Sequence, residues 1–439
     1  MRRALFVFTA AIFFLAGSAF ALTLKESIDV ALRQNPSITA ARQKAEAADA
    51  RLAQAVGAFL PTIKLDGNYG KTYTQPSTVQ FTTATTSGAV TQTLTFGTDA
   101  VSDTHGWTAS LSQPIFAAAL LPGYEIAKKS AALAREDHNR SILGTSFDVT
   151  RAYFGVLAAE KLVELSRESK QMAESHLTQV NKMVAAGAAP AADRLRSEVQ
   201  AANSEVGLVR ALNQLALARN AFNNALGRSI EEEVKLEAAA ESDKVAIPLY
   251  SELIELALRN RPDWKQYIIS KEISEENLRL TKTDYLPSVF LSGSTGNQVV
   301  EYPAYRSDVN SWRVTGAASW TLFDGLGRQN RIREAAANLE AQRALEEQVK
   351  RGIELEVRDA YFNLRSGLET IGSAKKAVAS AEENNRVSAA RFALGAGTNI
   401  EVLDAQVSLT QARINYLQAI YDVETAKAKI NKVVGKEVL

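Results

Sequence analysis

Two hydrophobic periods alternate along this chain, and each change of period falls beside a proline or a glycine. Leu345, Val349, Ile353, Val357, Ala360, Leu364, Leu368 and Ile371 advance by three and four residues, which places them on one stripe of an α-helix. At Trp312 the period is different. Trp312, Val314, Gly316, Ala318, Trp320 and Leu322 alternate with Arg313, Thr315, Ser319 and Thr321. This is the two-residue period of a strand with one apolar and one wet face. Trp107, Ala109 and Leu111 alternate in the same way with Thr108, Ser110 and Ser112, and Ile63, Leu65 and Tyr69 with Lys64, Asp66 and Asn68. Val289, Leu291 and Gly293, with Ser288 and Ser292 opposite, complete a set of four strands.

The pattern is written twice. "FLPTIKLDG" from Phe59 and "YLPSVFLSG" from Tyr285 stand at an offset of 287 − 61, or 226 residues, as do "ALRQNP" from Ala31 and "ALRNRP" from Ala257. Beyond the hairpins the offset becomes 361 − 153, or 208 residues, and it holds at Gly187 and Gly395, Leu195 and Leu403, and Gly227 and Gly435. Ungapped agreement of this length marks an internal duplication. Each repeat reads helix, hairpin, long helix, return helix. The first repeat covers 22–230, with strands near 61–73 and 105–116 and long helices near 124–186 and 190–226. An acidic, alanine-rich linker covers 231–248. The second repeat covers 249–439, with strands near 287–299 and 312–323 and long helices near 328–394 and 398–434. The first hairpin carries the longer connection, a Thr- and Ser-rich stretch read here as a polar loop.

Residues 1–21 stand apart. Arg2 and Arg3, an apolar run and the small residues Ala19 and Ala21 spell a secretory signal with cleavage after Ala21. Without Arg2 and Arg3 the chain has 48 basic and 49 acidic residues, which does not suit a nucleic-acid partner. The sequence has no cysteine, so neither a disulfide framework nor a lipid on an N-terminal cysteine is available. No catalytic, cofactor or metal constellation emerges. His105, His138 and His176 lie far apart, and Gly325-Leu326-Gly327 reads as a turn rather than a phosphate cradle.

The duplicated helix starts at Asn35-Pro36 and Arg261-Pro262-Asp263, the aromatic-Leu-Pro phrases, "LSQPIF" and "WTLFDG", and "RFALGAGTNIEVLDAQ" from Arg391 to Gln406 together resemble the TolC family of outer-membrane efflux and secretion channels. The resemblance spans essentially the whole mature chain. It implies a mainly α fold with a β-barrel portion, in which a homotrimer pools four strands per chain into a twelve-stranded barrel in the outer-membrane lipid. A periplasmic helical tube continues the barrel. The implied partners are a periplasmic adaptor and an inner-membrane pump of the resistance-nodulation-division, ABC or major-facilitator type. The implied function is a passive exit duct for efflux or type I secretion, with no enzyme activity. A soluble periplasmic coiled-coil scaffold is the alternative that the helices alone would allow.

Three groups of residues follow from that reading. Trp107, Trp312 and Trp320 are expected at the membrane interfaces. The turns with Gly187, Gly395, Gly397 and Thr398 are expected to contact the adaptor or pump. Glu401 and Asp404, with Asp193, Arg196 and Phe392, are expected at a periplasmic gate, where a ring of carboxylates would favour cations. Thr398 to Glu401 also spells a helix capping box, and the two roles are compatible. Phe392 and Gly397 replace the tyrosine and arginine that latch the best-known family member, and Arg196 could pair with Asp193 or Glu401.

Overall fold

The computed structural model describes residues 21–86, 88–96, 99–237 and 247–438. The signal segment therefore lies outside the described residues apart from Ala21, as does half of the linker, 238–246. The chain divides into two compact units. One comprises residues up to 45, 133–268 and 345–439, and the other 46–132 and 269–344. Helices α2 (Pro36–Gly57), α3 (Leu120–Ala185), α6 (Pro262–Lys282) and α7 (Gly327–Ala393) contribute residues to both.

The first unit also contains α1 (Leu24–Gln34), α4 (Ala191–Leu226), α5 (Tyr250–Asn260) and α8 (Asn399–Val434). Its core is laid down twice at equivalent positions. Val149, Tyr153 and Val156 of α3 pack with Phe222 and Leu226 of α4 and Ala31 of α1. Val357 and Leu364 of α7, with Tyr361 beside them, pack with Ile430 and Val434 of α8 and Ala257 of α5. Burial contributes about 1.5–3 kcal/mol for each large apolar side chain. Elsewhere the buried stripe narrows to alanines such as Ala159, Ala173, Ala211 and Ala374. Small side chains there let the helices approach closely along their length, and α3 alone runs about 99 Å at 1.5 Å per residue.

Each repeat also fastens its own ends. Gly227 and Gly435 follow α4 and α8 at φ +77° and +75°, a left-handed geometry that glycine adopts without strain. A Cβ at Gly227 would stand 2.7 Å from Asn35 Cα, and one at Gly435 would stand 2.9 Å from Arg261 N. The two pre-proline residues cap the helices that end there. Asn35 Nδ2 donates to the Ala225 carbonyl at 2.9 Å, and Arg261 Nη1 donates to the Val433 carbonyl at 3.3 Å. Arg261 is buried, and its charge is answered by Asp263 at 2.6 Å and Glu356 at 2.8 Å.

The second unit is built on an antiparallel sheet in the order β1 (Thr62–Thr74), β4 (Ala100–Ala117), β5 (Ser288–Glu301) and β6 (Arg306–Ser319). The β4–β5 register slips between Pro114 and Phe116, because proline has no N–H for the ladder and a bulge absorbs it. Two expectations are corrected here. The stretch read as a polar loop is itself a hairpin, β2 (Ser77–Thr85) and β3 (Gly88–Phe96). Its threonines alternate with Val79, Phe81, Val90 and Leu94, and a Thr-rich alternating run suits a strand as well as a loop. The last strand stops at Ser319 rather than near 323. Beyond it the Arg328 guanidinium takes the Thr321 carbonyl and the Arg328 N–H takes Asp324, so this backbone turns into α7 instead of extending the ladder.

Candidate channel wall and helical tip

Within the sheet, register fixes which side chains share a face. One row runs Ile63, Leu111, Gly293, Val314, and the next Leu65, Ala109, Thr295, Trp312. Then come Gly67, Trp107, Asn297, Asn310, followed by Tyr69, His105, Val299, Asp308. This face presents Ile63 at 75% exposure and Trp312 at 80%. The opposite face carries Thr108, Ser110, Ser112, Ser292, Ser294 and Thr315. A final row of Lys71, Asp103, Glu301 and Arg306 closes the apolar face with charge, paired as Lys71–Asp103 at 3.3 Å and Arg306–Glu301 at 3.2 Å.

The aromatic residues on this face follow a slope. Trp312, Trp107 and Tyr69 lie in successive rows on β6, β4 and β1, a shift of four residues over three strand steps. At about 3.3 Å per residue and about 4.8 Å per strand, that slope is roughly 40°. The other end slopes alike: β1 begins in register with Thr315, four residues before β6 ends. An apolar band slanted by 35–45° across its strands, edged by aromatics, is how an outer-membrane barrel meets lipid. Tyr69 belongs to this line, and the sequence reading did not single it out as an interface residue. Trp320 lies past the strand end, where its indole N–H donates to the Tyr285 carbonyl at 3.0 Å.

The tip belongs to the first unit. The turns after α3 and α7 each pass through a glycine in the left-handed region, Gly187 and Gly395. Gly397 is confined, since a Cβ there would meet Arg391 Cβ at 3.1 Å and Glu401 Oε2 at 3.2 Å. Thr398 Oγ1 accepts from the Glu401 N–H at 3.3 Å, so half of the capping box is present. The Glu401 carboxylate faces Arg391 at 3.7 Å rather than reaching back to the cap. Glu401, Asp404 and Arg196 are exposed and Asp193 is half-buried. Arg196 makes no ion pair with Asp193 or Glu401, and none with any other of the described residues.

Phe392 is buried, packed with Val180 and Val402. Beside it lies a polar cluster that the sequence reading passed over. His176 Nε2 stands 2.7 Å from Asn399 Oδ1, and Asn399 Nδ2 donates to the Asp193 carbonyl at 3.1 Å. The available signal was that His176 shares the helical spacing of Val180 and Met183 on the buried face of α3. No described helix is long and apolar enough to cross a membrane.

The sequence profile described as outer membrane efflux protein matches residues 27–228 and again 253–436. The chain belongs to that family. Among its relatives, the alkaline protease secretion protein AprF of Pseudomonas aeruginosa is 24% identical, over 99% of this chain and 89% of its own. The outer membrane protein TolC of Vibrio cholerae is 22% identical, over 97% and 94%. The same fold occurs in the outer membrane protein VceC of Vibrio cholerae, with TM-score 0.76 and 17% identity over 94% of this chain and 96% of that one. It occurs also in the Campylobacter jejuni CmeC outer membrane channel, with TM-score 0.79 and 16% identity over 94% and 86%. As a member of this family the chain is an outer-membrane efflux or secretion channel. The soluble-scaffold alternative falls with that assignment.

Proposed function

We propose that three copies of this chain close their sheets into one twelve-stranded barrel, which serves as the exit duct of a tripartite export system. The observation that carries the proposal is the sheet itself, whose apolar face is exposed and whose edge strands β1 and β6 each have one neighbour. Unpaired backbone is too costly to leave in lipid, so the edges must find other copies. Two copies would give eight strands, a barrel that side chains fill. Three give a lumen, with the hydroxyl-rich face lining it.

The helices extend this duct through the periplasm. The turns at Gly187, Gly395, Gly397 and Thr398 meet a periplasmic adaptor and an inner-membrane pump, and Glu401, Asp404 and Asp193 ring the inner mouth. The names of the relatives span protease secretion, as in AprF and PrtF, and cobalt-zinc-cadmium resistance, as in CzcC. The shared property is the duct, and the cargo is set by the pump it serves.

The test is purification from outer membranes followed by planar-bilayer recording. Heat-modifiable trimers that conduct ions are expected, with block by multivalent cations that weakens when Glu401→Gln and Asp404→Asn are combined. A detergent-free monomer without conductance would refute the duct. Unchanged block in the double variant would place the constriction elsewhere.

A further inference from the structure

The cluster around His176 is the most enclosed polar site at the tip. His176, Ser197 and Asn399 are 6%, 1% and 2% exposed, and they come from α3, α4 and α8. The Asn399 amide nitrogen is engaged by the Asp193 carbonyl, so its oxygen faces the ring, and His176 Nε2 must carry the proton. Ser197 Oγ donates to the Asp193 carbonyl at 2.9 Å and lies 3.4 Å from Asn399 Oδ1. The Phe392 ring of α7 packs on the imidazole with centroids 5.2 Å apart. One cluster thus joins four helices. It has no twin, because at the 208-residue offset Asn399 corresponds to Ala191 and Ser197 to Ala405. A feature absent from the other repeat is not part of the shared packing of the fold.

We infer that His176, Ser197 and Asn399 form a clasp that holds the α7–α8 turn onto the start of α4, and that protonation of His176 releases it. The consequence for transport rests on reading this end as the inner mouth of the duct. In the neutral ring the single donor, Nε2–H, is taken up by Asn399. A second proton, at Nδ1, would put a full charge beside Phe392, Val180 and Val402, where hydration is lost. Of the elements packed on the ring, α4 brings the Asp193 carboxylate, while α7 brings Phe392 and α8 brings Asn399, both uncharged. Burial outweighs the Asn399 bond and the Asp193 charge and pulls the imidazole below its usual range. The clasped state therefore favours the neutral ring. Its contribution is complete above the ordinary histidine value of about 6.5 and is lost as the pH falls through the lowered value.

The chain has no cysteine, so a single thiol can report the clasp in the full-length channel. Val402 is fully buried beside it. In a Val402→Cys channel, thiol modification normalised for ionisation should quicken about tenfold between about pH 7.5 and about pH 5.5, the order of one lost buried hydrogen bond. Adding His176→Gln, which keeps a donor but cannot titrate, should abolish that rise. Asn399→Ala should give the fast rate at both values. A rate independent of pH, or the same rise with His176→Gln, overturns the clasp.

Conductance of the cysteine-free channel provides a second readout that does not depend on the packing of the reporter. Acid should raise conductance through clasp release over the same pH interval in which the thiol rate rises. His176→Gln should remove that rise. Thiol exposure that rises while the His176→Gln and parent conductances stay alike would uphold the clasp and overturn the reading of this end as the mouth.

Discussion

The two repeats agree in their cores and part company at their ends. Tyr153 and Tyr361, Phe222 and Ile430, and Gly227 and Gly435 do the same work at the same offset. The ends differ. The first hairpin carries an additional β2–β3 pair, whereas the second closes over Tyr302 to Tyr305. Helix α4 starts after Pro190 without a side-chain cap, whereas α8 starts after Thr398 with one. Packing against two other helices leaves a core position few acceptable residues, while a turn facing solvent or a partner accepts many. Divergence has therefore collected where the repeats meet something other than themselves.

The comparison can be broken most severely at the two glycines. Valine at Gly227 or Gly435 adds a left-handed β-branched residue and a backbone clash, and each should cost more than about 4 kcal/mol. Loss of folded protein from either substitution is expected in thermal melts. One tolerated valine would mean that the two fastenings are not equivalent. The cores should respond next, with Phe222→Ala costing about 3–5 kcal/mol and Ile430→Ala about 2–5 kcal/mol, measured by denaturant unfolding. The smallest effect sharpens the contrast between the ends. Thr398→Ala should cost about 1 kcal/mol through its lost cap, and Pro190→Ala should change little. Hydrogen exchange at the first turns of α4 and α8 resolves the difference, and equal fraying in both variants would remove it.

Much of the fold was legible because its signals are long. A three-and-four stripe from Leu345 to Ile371 identifies the 67-residue α7 without help from tertiary context, and duplication allowed each weak strand to be checked against its twin. The β2–β3 hairpin had no twin, and its threonines serve loop and strand alike. The end of β6 was obscured because alternation continued through Trp320 and Leu322, while a side chain eight positions past Trp320, Arg328, drew the backbone away. At the tip, Glu401 and Asp404 were visible as charges at a helix start. The His176–Asn399 pair was not, because its partners lie 223 residues apart and no local pattern links them.

The fastening of each repeat has a kinetic consequence. Asn35 must wait for Ala225, and Arg261 for Val433, separations of 190 and 172 residues. A chain emerging from its N-terminus cannot close either half until nearly all of that half is present. Closing so long a loop costs roughly 5 kcal/mol of chain entropy before any contact repays it. Until then the apolar positions of both halves remain open to water and to one another. The order of synthesis therefore makes the meeting of the two ends of each half a late event in its folding, and one of high contact order.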